Sequence, residues 1–421
     1  MRAAANASTL LRLLFLSLLL AAAPAWAQKK ADLSRLVVVG DSLSAGFQNG
    51  SLLDSQQPHG YANVIAEQAR TPLALPLIAF PGIPNVLQLV SVGPPPVIQR
   101  APGASTGRDD PTVQATDLAV PGQNVADALD ARPDIPIDSL TDLVLGLPGL
   151  FLGVSRSQVE WAEALRPTAV VLWLGNNDAL GAATSGDASL LTPVPVFEAA
   201  YAEVIDRLAA TGATILTANI PDVTAIPFLT PAEEVAQRAG VPLNVIGPLL
   251  GIGPGDFVTP DAAPLIAEIL GGMTPGPLPG NVVLDASEVA TIRAAVAAYN
   301  AFIAKKAHEH RAALVDIHEL IDRVAKRGLV VNGQRLTTEF LGGLFSLDGV
   351  HPTNTGYAVI ANEFIRALDR RFDADIPPVN IEKIARRDPL VLPEAGRPPH
   401  KEHIDVDTAR ALRSMIVHER R

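Results

Sequence analysis

The chain has 421 residues, 48% of them hydrophobic and only 18% charged, which suffices for a sizeable core in one large domain or two to three smaller ones and excludes a disordered chain. Its formal net charge of −11 argues against nucleic acid as a partner, because phosphate binding needs basic clusters. The absence of Cys excludes disulfides, a lipid-modified Cys and a thiol nucleophile.

Residues 1–27 read as a signal peptide. Arg2 and Arg12 give a positive start, 10–20 (LLRLLFLSLLL) is a short apolar core, and Ala25-Trp26-Ala27 fits a small-x-small cleavage site before Gln28. A membrane anchor is the competing reading, but the apolar run is short for a span. Cleavage removes two Arg, takes the formal charge to −13 and predicts a periplasmic or secreted protein. Pro, Gly or charges interrupt every later apolar stretch, so no stable membrane span is expected after cleavage.

A β-branched run at 36–39 ends in Gly40 and predicts a buried strand. Helical spacing follows at 61–70, and 72–111 is a long Pro/Gly-rich connection. A short strand is expected at 112–118, then Pro121-Gly122 and a helical pattern at 124–129. A helix at 155–165 has Ser155 or Ser157 as its cap, and 168–174 (TAVVLWL) is a second buried strand ending at Gly175. An amphipathic helix at 195–210 leads to a third strand at 213–219. The stretch 221–281 is apolar, Pro- and Gly-rich and poor in charge. A long helix at 284–310, a strand at 313–317 and a last helix at 357–371 complete the pattern; 374–421 reads as a polar, Pro-rich tail. Strands alternating with helices imply a parallel sheet covered on both faces, with its chemistry beyond the carboxyl ends of the strands.

Two polar clusters fall at such ends: Asp41-Ser42 after the first strand and Asn176-Asn177-Asp178 after the second. A reactive serine needs a base, the base an orienting acid, and the oxyanion a set of donors. Of the eight His, His351 stands out, in a loop (346–356, SLDGVHPTNTG) with Asp348 three residues upstream. In a tight turn that spacing lets the carboxylate reach Nδ1–H and leaves Nε2 to take a proton. The alternative is a polar turn capping a helix. Asn177 could donate from its amide and Gly122 from its backbone, although Asn and Gly also simply favour turns. Ser44 reads as a cap or turn residue. Ser105, in the Gly-x-Ser-x-Gly match at 103–107, lacks the strand before and the helix after that a nucleophile elbow requires. No His-Glu-x-x-His, Gly-x-Gly-x-x-Gly or phosphate loop is present, so neither metal nor organic cofactor is expected.

Four blocks together resemble the GDSL, or SGNH, hydrolase family: Gly40-Asp41-Ser42-Leu43, Gly122, Gly175-Asn176-Asn177-Asp178, and Asp348-Gly349-Val350-His351-Pro352. The resemblance implies a three-layer α/β/α, flavodoxin-like fold with a central parallel sheet of about five strands. It implies Ser42 as nucleophile, His351 as base, Asp348 as orienter and Asp41 as structural. The oxyanion hole would be Ser42 N–H, Gly122 N–H and the Asn177 side chain. The family unit would span 28–373, with insertions at 54–112 and 221–283 that could wall or cap an acyl pocket. The expected function is exported cleavage of carboxylic esters, with a small-molecule or lipid acyl ester as substrate. A carbohydrate or cell-wall O-acetyl esterase is one alternative, and an inactive binding protein on this fold is another.

Overall fold

The structure, a computed structural model, describes residues 30–93 and 96–393. The expected signal peptide at 1–27 and the tail beyond 393 lie outside the described residues.

Four parallel strands form the central sheet: β1 (Leu36–Gly40), β2 (Ala169–Trp173), β3 (Thr214–Ala218) and β4 (Ala313–Val315), side by side in that order. β1 and β2 are buried along their whole length, as expected of β-branched runs covered on both faces. Each fully buried Val or Leu there contributes about 1.5–3 kcal/mol. The strand expected at 112–118 forms only a partial ladder with β1. Val38 N–H bonds Thr116 O, Leu118 N–H bonds Val38 O, and Val120 N–H bonds Gly40 O at 3.1 Å. With this segment counted second in chain order, the row reads 2-1-3-4-5, the flavodoxin-like order.

The main helices are α1 (Tyr61–Ala69), α2 (Gln158–Leu165), α3 (Asn177–Ser185), α4 (Val194–Ala210), α5 (Ala286–Glu309) and α6 (Asn354–Phe372). α1 and α6 cover one face of the sheet, where Tyr61, Trp173 and Phe364 pack ring on ring. α2, α4 and α5 cover the other, with Phe197 stacked on Tyr201 and Tyr299. Local chemistry fixes the helix starts. Ser157 caps α2 and Asp285 caps α5, each in a reciprocal capping box with a Glu three residues on. α6 starts three residues before its expected position, because Thr353 accepts from Gly356 N–H.

Several stretches depart from expectation. The connection at 72–111 contains an antiparallel hairpin, Leu87–Ser91 with Val97–Arg100. The insertion at 221–283 holds three short antiparallel strands and the helices Ala232–Ala239, Leu243–Leu250 and Ala262–Leu270. These enclose a separate apolar cluster including Val235, Ile246, Leu250, Val258 and Ile269. Residues 374–393 are not a tail. Ile376, Val379, Ala385 and Leu390 join the main core, and Asp388 accepts from the Thr355 N–H at the start of α6. One helical stretch among the described residues, Ala188–Ala210, is long and apolar enough to cross a bilayer by length and composition, contrary to expectation. Its α4 part buries Phe197, Tyr201, Val204, Ile205 and Leu208 in the main core.

Asp117 sits on the partial strand beside β1, buried, with one carboxylate oxygen accepting from Ala119 N–H at 3.1 Å. Burial raises its pKa from 3.8 to about 8, against the smaller opposing effect of that hydrogen bond. A group whose pKa is raised on folding stabilises the protein below its unfolded value and loses that contribution as pH climbs through the folded one. Stability should therefore fall between pH 4 and 8 through this residue. Asp117→Asn, uncharged throughout, should flatten the fall. Thermal melts at pH 5 and pH 8.5 would show a smaller drop in Tm for the variant than for the wild type; equal drops would refute the account.

Candidate active site

β1 stops at Gly40 because the chain must turn closely there. A Cβ on Gly40 would stand 2.2 Å from Ser44 Oγ. Beyond it, Asp41 organises the turn. Its carbonyl accepts from Ser44 N–H and Ala45 N–H, one carboxylate oxygen accepts from Leu43 N–H, and the other accepts from Asn176 Nδ2 at 2.8 Å. Burial lifts the Asp41 carboxyl from 3.8 to about 6, partly offset by the bonds from Asn176 and Leu43 and by nearby His351. Ser44 is buried and shares a 2.8 Å hydrogen bond with Tyr61 Oη, which is a structural role.

Ser42, His351 and Asp348 lie within hydrogen-bonding distance of one another in series. Ser42 Oγ is 2.8 Å from His351 Nε2, and His351 Nδ1 is 3.0 Å from Asp348 Oδ2. All three are buried, Ser42 retaining 4% exposure. Asp348 Oδ1 accepts from the N–H groups of Val350 and His351, and Oδ2 accepts from Gly50 N–H at 2.8 Å. Burial pushes the Asp348 carboxyl up, but the proximity of His351 and the hydrogen bonds from His351 and Val350 outweigh it and leave the group below its usual range. The imidazole is braced on its face as well. Phe47 packs against it with ring centroids 4.7 Å apart, and the Phe47 carbonyl accepts from Tyr357 Oη at 2.6 Å.

Asn177 is the first residue of α3, a helix not expected from the sequence pattern. Its Nδ2 donates to the Gln123 carbonyl at 2.9 Å, and the neighbouring Asp178 carboxylate accepts from Val125 N–H. The start of α3 thus holds the 121–125 loop. Gly122 in that loop has φ +89°, a conformation L side chains rarely adopt. Since Val120 pairs with Gly40, Gly122 and Ser42 are each two residues beyond a common hydrogen-bonded point. Ser42, Gly122 and Asn177 therefore follow the carboxyl ends of three adjacent segments of the sheet.

Other candidates fall elsewhere. His310 bonds Asp206, His318 Nδ1 bonds the Ile220 carbonyl, and Ser105 donates to the Ala79 carbonyl from a loop. Sequence reasoning missed Gly50, Gln123 and Phe47, and it named Asn176 in a polar cluster without giving it a role. Asn49-Gly50, with φ positive at both residues, is a tight-turn signal available in the sequence. Nothing local announces that this turn docks on the 346–351 loop, through Asn49 to Ser346 and Leu347 and through Gly50 to Asp348.

The sheet order, with the site beyond the carboxyl ends of its strands, defines an α/β protein of flavodoxin-like topology. The family model for GDSL-like lipase/acylhydrolase matches residues 36–364, so the chain belongs to that family of ester-hydrolysing enzymes. Solved structures show only distant likeness. LAE5, an alpha/beta hydrolase enzyme from the metagenome of Lake Arreo, is 16% identical with a TM-score of 0.37, covering 80% of this chain and 96% of that one. The acetylxylan esterase Axe2 of Geobacillus stearothermophilus is 13% identical with a TM-score of 0.37, over 80% and 96%. The psychrotrophic esterase EstA of Pseudoalteromonas sp. is 12% identical with a TM-score of 0.35, over 81% and 99%. No curated protein matches the sequence.

Proposed function

We propose that the protein is an exported serine esterase of acylhydrolase type. The observation that carries this reading is the buried chain from Ser42 Oγ through His351 to Asp348, with steps of 2.8 and 3.0 Å. Ser42 Oγ attacks the ester carbonyl while His351 Nε2 takes its proton. Asp348 holds the Nδ1–H tautomer and stabilises the imidazolium. The oxyanion is received by Ser42 N–H, Gly122 N–H and the Asn177 amide, each such donor being worth about 10²–10³ in kcat. The Gln123 carbonyl fixes the plane of that amide. His351 then protonates the leaving alcohol, and water cleaves the acyl-enzyme by the same route. Export rests on the 1–27 pattern of charge, apolar core and small-residue site.

The substrate we favour is a lipid-type acyl ester. The supporting observation is the apolar insertion at 221–283, which buries Phe228 beside the His351 loop through a 3.1 Å bond from Phe228 N–H to Gly349 O and exposes Val245, Leu249, Leu270 and Met273. A series of p-nitrophenyl esters tests it. Medium and long chains should exceed acetate in kcat/KM by about tenfold or more, a gain of about 0.8 kcal/mol per buried methylene saturating once the pocket is filled. A preference for acetate would overturn the lipid reading and favour an O-acetyl esterase.

A further inference from the structure

We propose that Gln158 is a positioning residue that locks the strand carrying Ser42 to the loop and helix carrying Gly122 and Asn177. The inference rests on the esterase reading of those three residues. Gln158 is the first residue of α2, and its side chain is wholly buried. Its Oε1 accepts the Gly40 N–H at 2.9 Å. Its Nε2 donates to the Gly40 carbonyl at 3.0 Å and to Gln123 Oε1 at 2.6 Å. Gln123 in turn donates from Nε2 to Thr141 Oγ1, and its carbonyl accepts from Asn177 Nδ2 at 2.9 Å.

The position of this amide in the ladder explains its leverage. The partial strand pairs with β1 through Val38 N–H to Thr116 O, Leu118 N–H to Val38 O and Val120 N–H to Gly40 O. Regular parallel pairing would send the Gly40 N–H to the Leu118 carbonyl. It goes to Gln158 instead, so a side chain is inserted where two strands diverge. That side chain holds the backbone two residues before Ser42. The same amide sets Gln123, which orients Asn177. Nucleophile and oxyanion donor are therefore registered against one side chain that touches neither substrate nor Ser42. Misplacement by about 1 Å suffices to slow such chemistry by about 10²-fold.

The test is a double-mutant cycle in the full chain. Gln158→Met keeps the length and removes every hydrogen bond. It should lower kcat on a p-nitrophenyl ester by about 10- to 100-fold with KM within about twofold. In an Asn177→Ala background the same substitution should cost at least about threefold less than in the wild type, because only its hold on the strand carrying Ser42 then remains. Equal losses in both backgrounds, or a loss confined to KM, would overturn the proposal. A second readout does not depend on activity. Hydrogen exchange of the Asn177 side-chain amide should quicken at least about tenfold in Gln158→Met while the backbone amides of 215–218 keep their wild-type rates. Unchanged Asn177 exchange would also overturn it. If the wild type hydrolyses no ester yet the exchange quickens, the esterase reading fails and the coupling stands. Should Gln158→Met fail to fold, Gln123→Met leaves both Gly40 bonds in place and is subject to the same criteria.

Discussion

Ser42→Ala is expected to lower kcat/KM for the best ester substrate by about 10⁴- to 10⁶-fold while leaving the fold intact. The substitution removes one oxygen, whose bond to His351 Nε2 is 2.8 Å. The turn around it is held by other groups: the Asp41 carbonyl and carboxylate, Asn176, and the Phe47 N–H to Ser42 O bond, which alanine keeps. Tm should therefore move little, separating loss of chemistry from loss of structure. The residual rate would come from the oxyanion donors and binding alone. A fluorophosphonate probe reports on the same oxygen without a substrate. It should label wild-type protein at Ser42 and leave Ser42→Ala unlabelled. Near-wild-type turnover by the variant would remove Ser42 from the mechanism. A folded wild type that takes up no probe would favour a binding protein on this fold.

The parts of this fold that were legible in the sequence are those whose cause is local. β1 and β2 are runs of buried β-branched and aliphatic residues and announce themselves; a cap at Ser155 or Ser157 was also legible, and the Asp348-to-His351 spacing gained its meaning from the resemblance. The parts that were not legible depend on distant partners. The strand expected at 112–118 pairs with β1 only over 116–120, where the Gly40 N–H is taken by Gln158, and its place beside β1 follows from hydrogen bonds, not composition. The polar stretch after 373 reads as a tail because its apolar residues are sparse, yet four of them find the core and Asp388 finds the start of α6. The insertion at 221–283 has too many Pro and Gly for any period to survive, although its apolar residues assemble a cluster of their own. In the site, the resemblance pointed to Ser42, His351, Asp348, Gly122 and Asn177 one at a time. What ties them together is a set of contacts spanning more than a hundred residues, Gln158 to Gly40 and Gly50 to Asp348 among them. A Gln on a helix and a Gly in a turn carry no local mark of such a duty.

Asp348→Asn is the second large effect expected, about 10⁴-fold in kcat, and it should cost stability as well. The carboxylate accepts from four donors: the N–H groups of Val350 and His351 on one oxygen, and Gly50 N–H and His351 Nδ1 on the other. An amide offers one acceptor oxygen and two donor hydrogens. If its NH₂ faces Val350 and His351, two backbone donors are opposed. If it faces Gly50 and the imidazole, one backbone donor is opposed and His351 must place its proton on Nε2, where it can no longer accept from Ser42. The second orientation is the less unfavourable, and it is the inactive one. Losing a hydrogen bond to a charged acceptor costs about 1.5–3 kcal/mol, so Tm should fall at neutral pH. The sign with pH follows from the depressed carboxyl. Its contribution is present above 3.8 and lost as pH falls through the lower folded value, so the Tm gap between wild type and variant should narrow in acid. Asp41→Asn is the control, since Asp41 is the other buried carboxyl beside Ser42 and bonds Leu43 N–H and Asn176 rather than the imidazole. Its effect on kcat should be far smaller than that of Asp348→Asn. The reverse ranking would transfer the orienting role from Asp348 to Asp41 and leave the 346–351 loop as a scaffold for His351 alone.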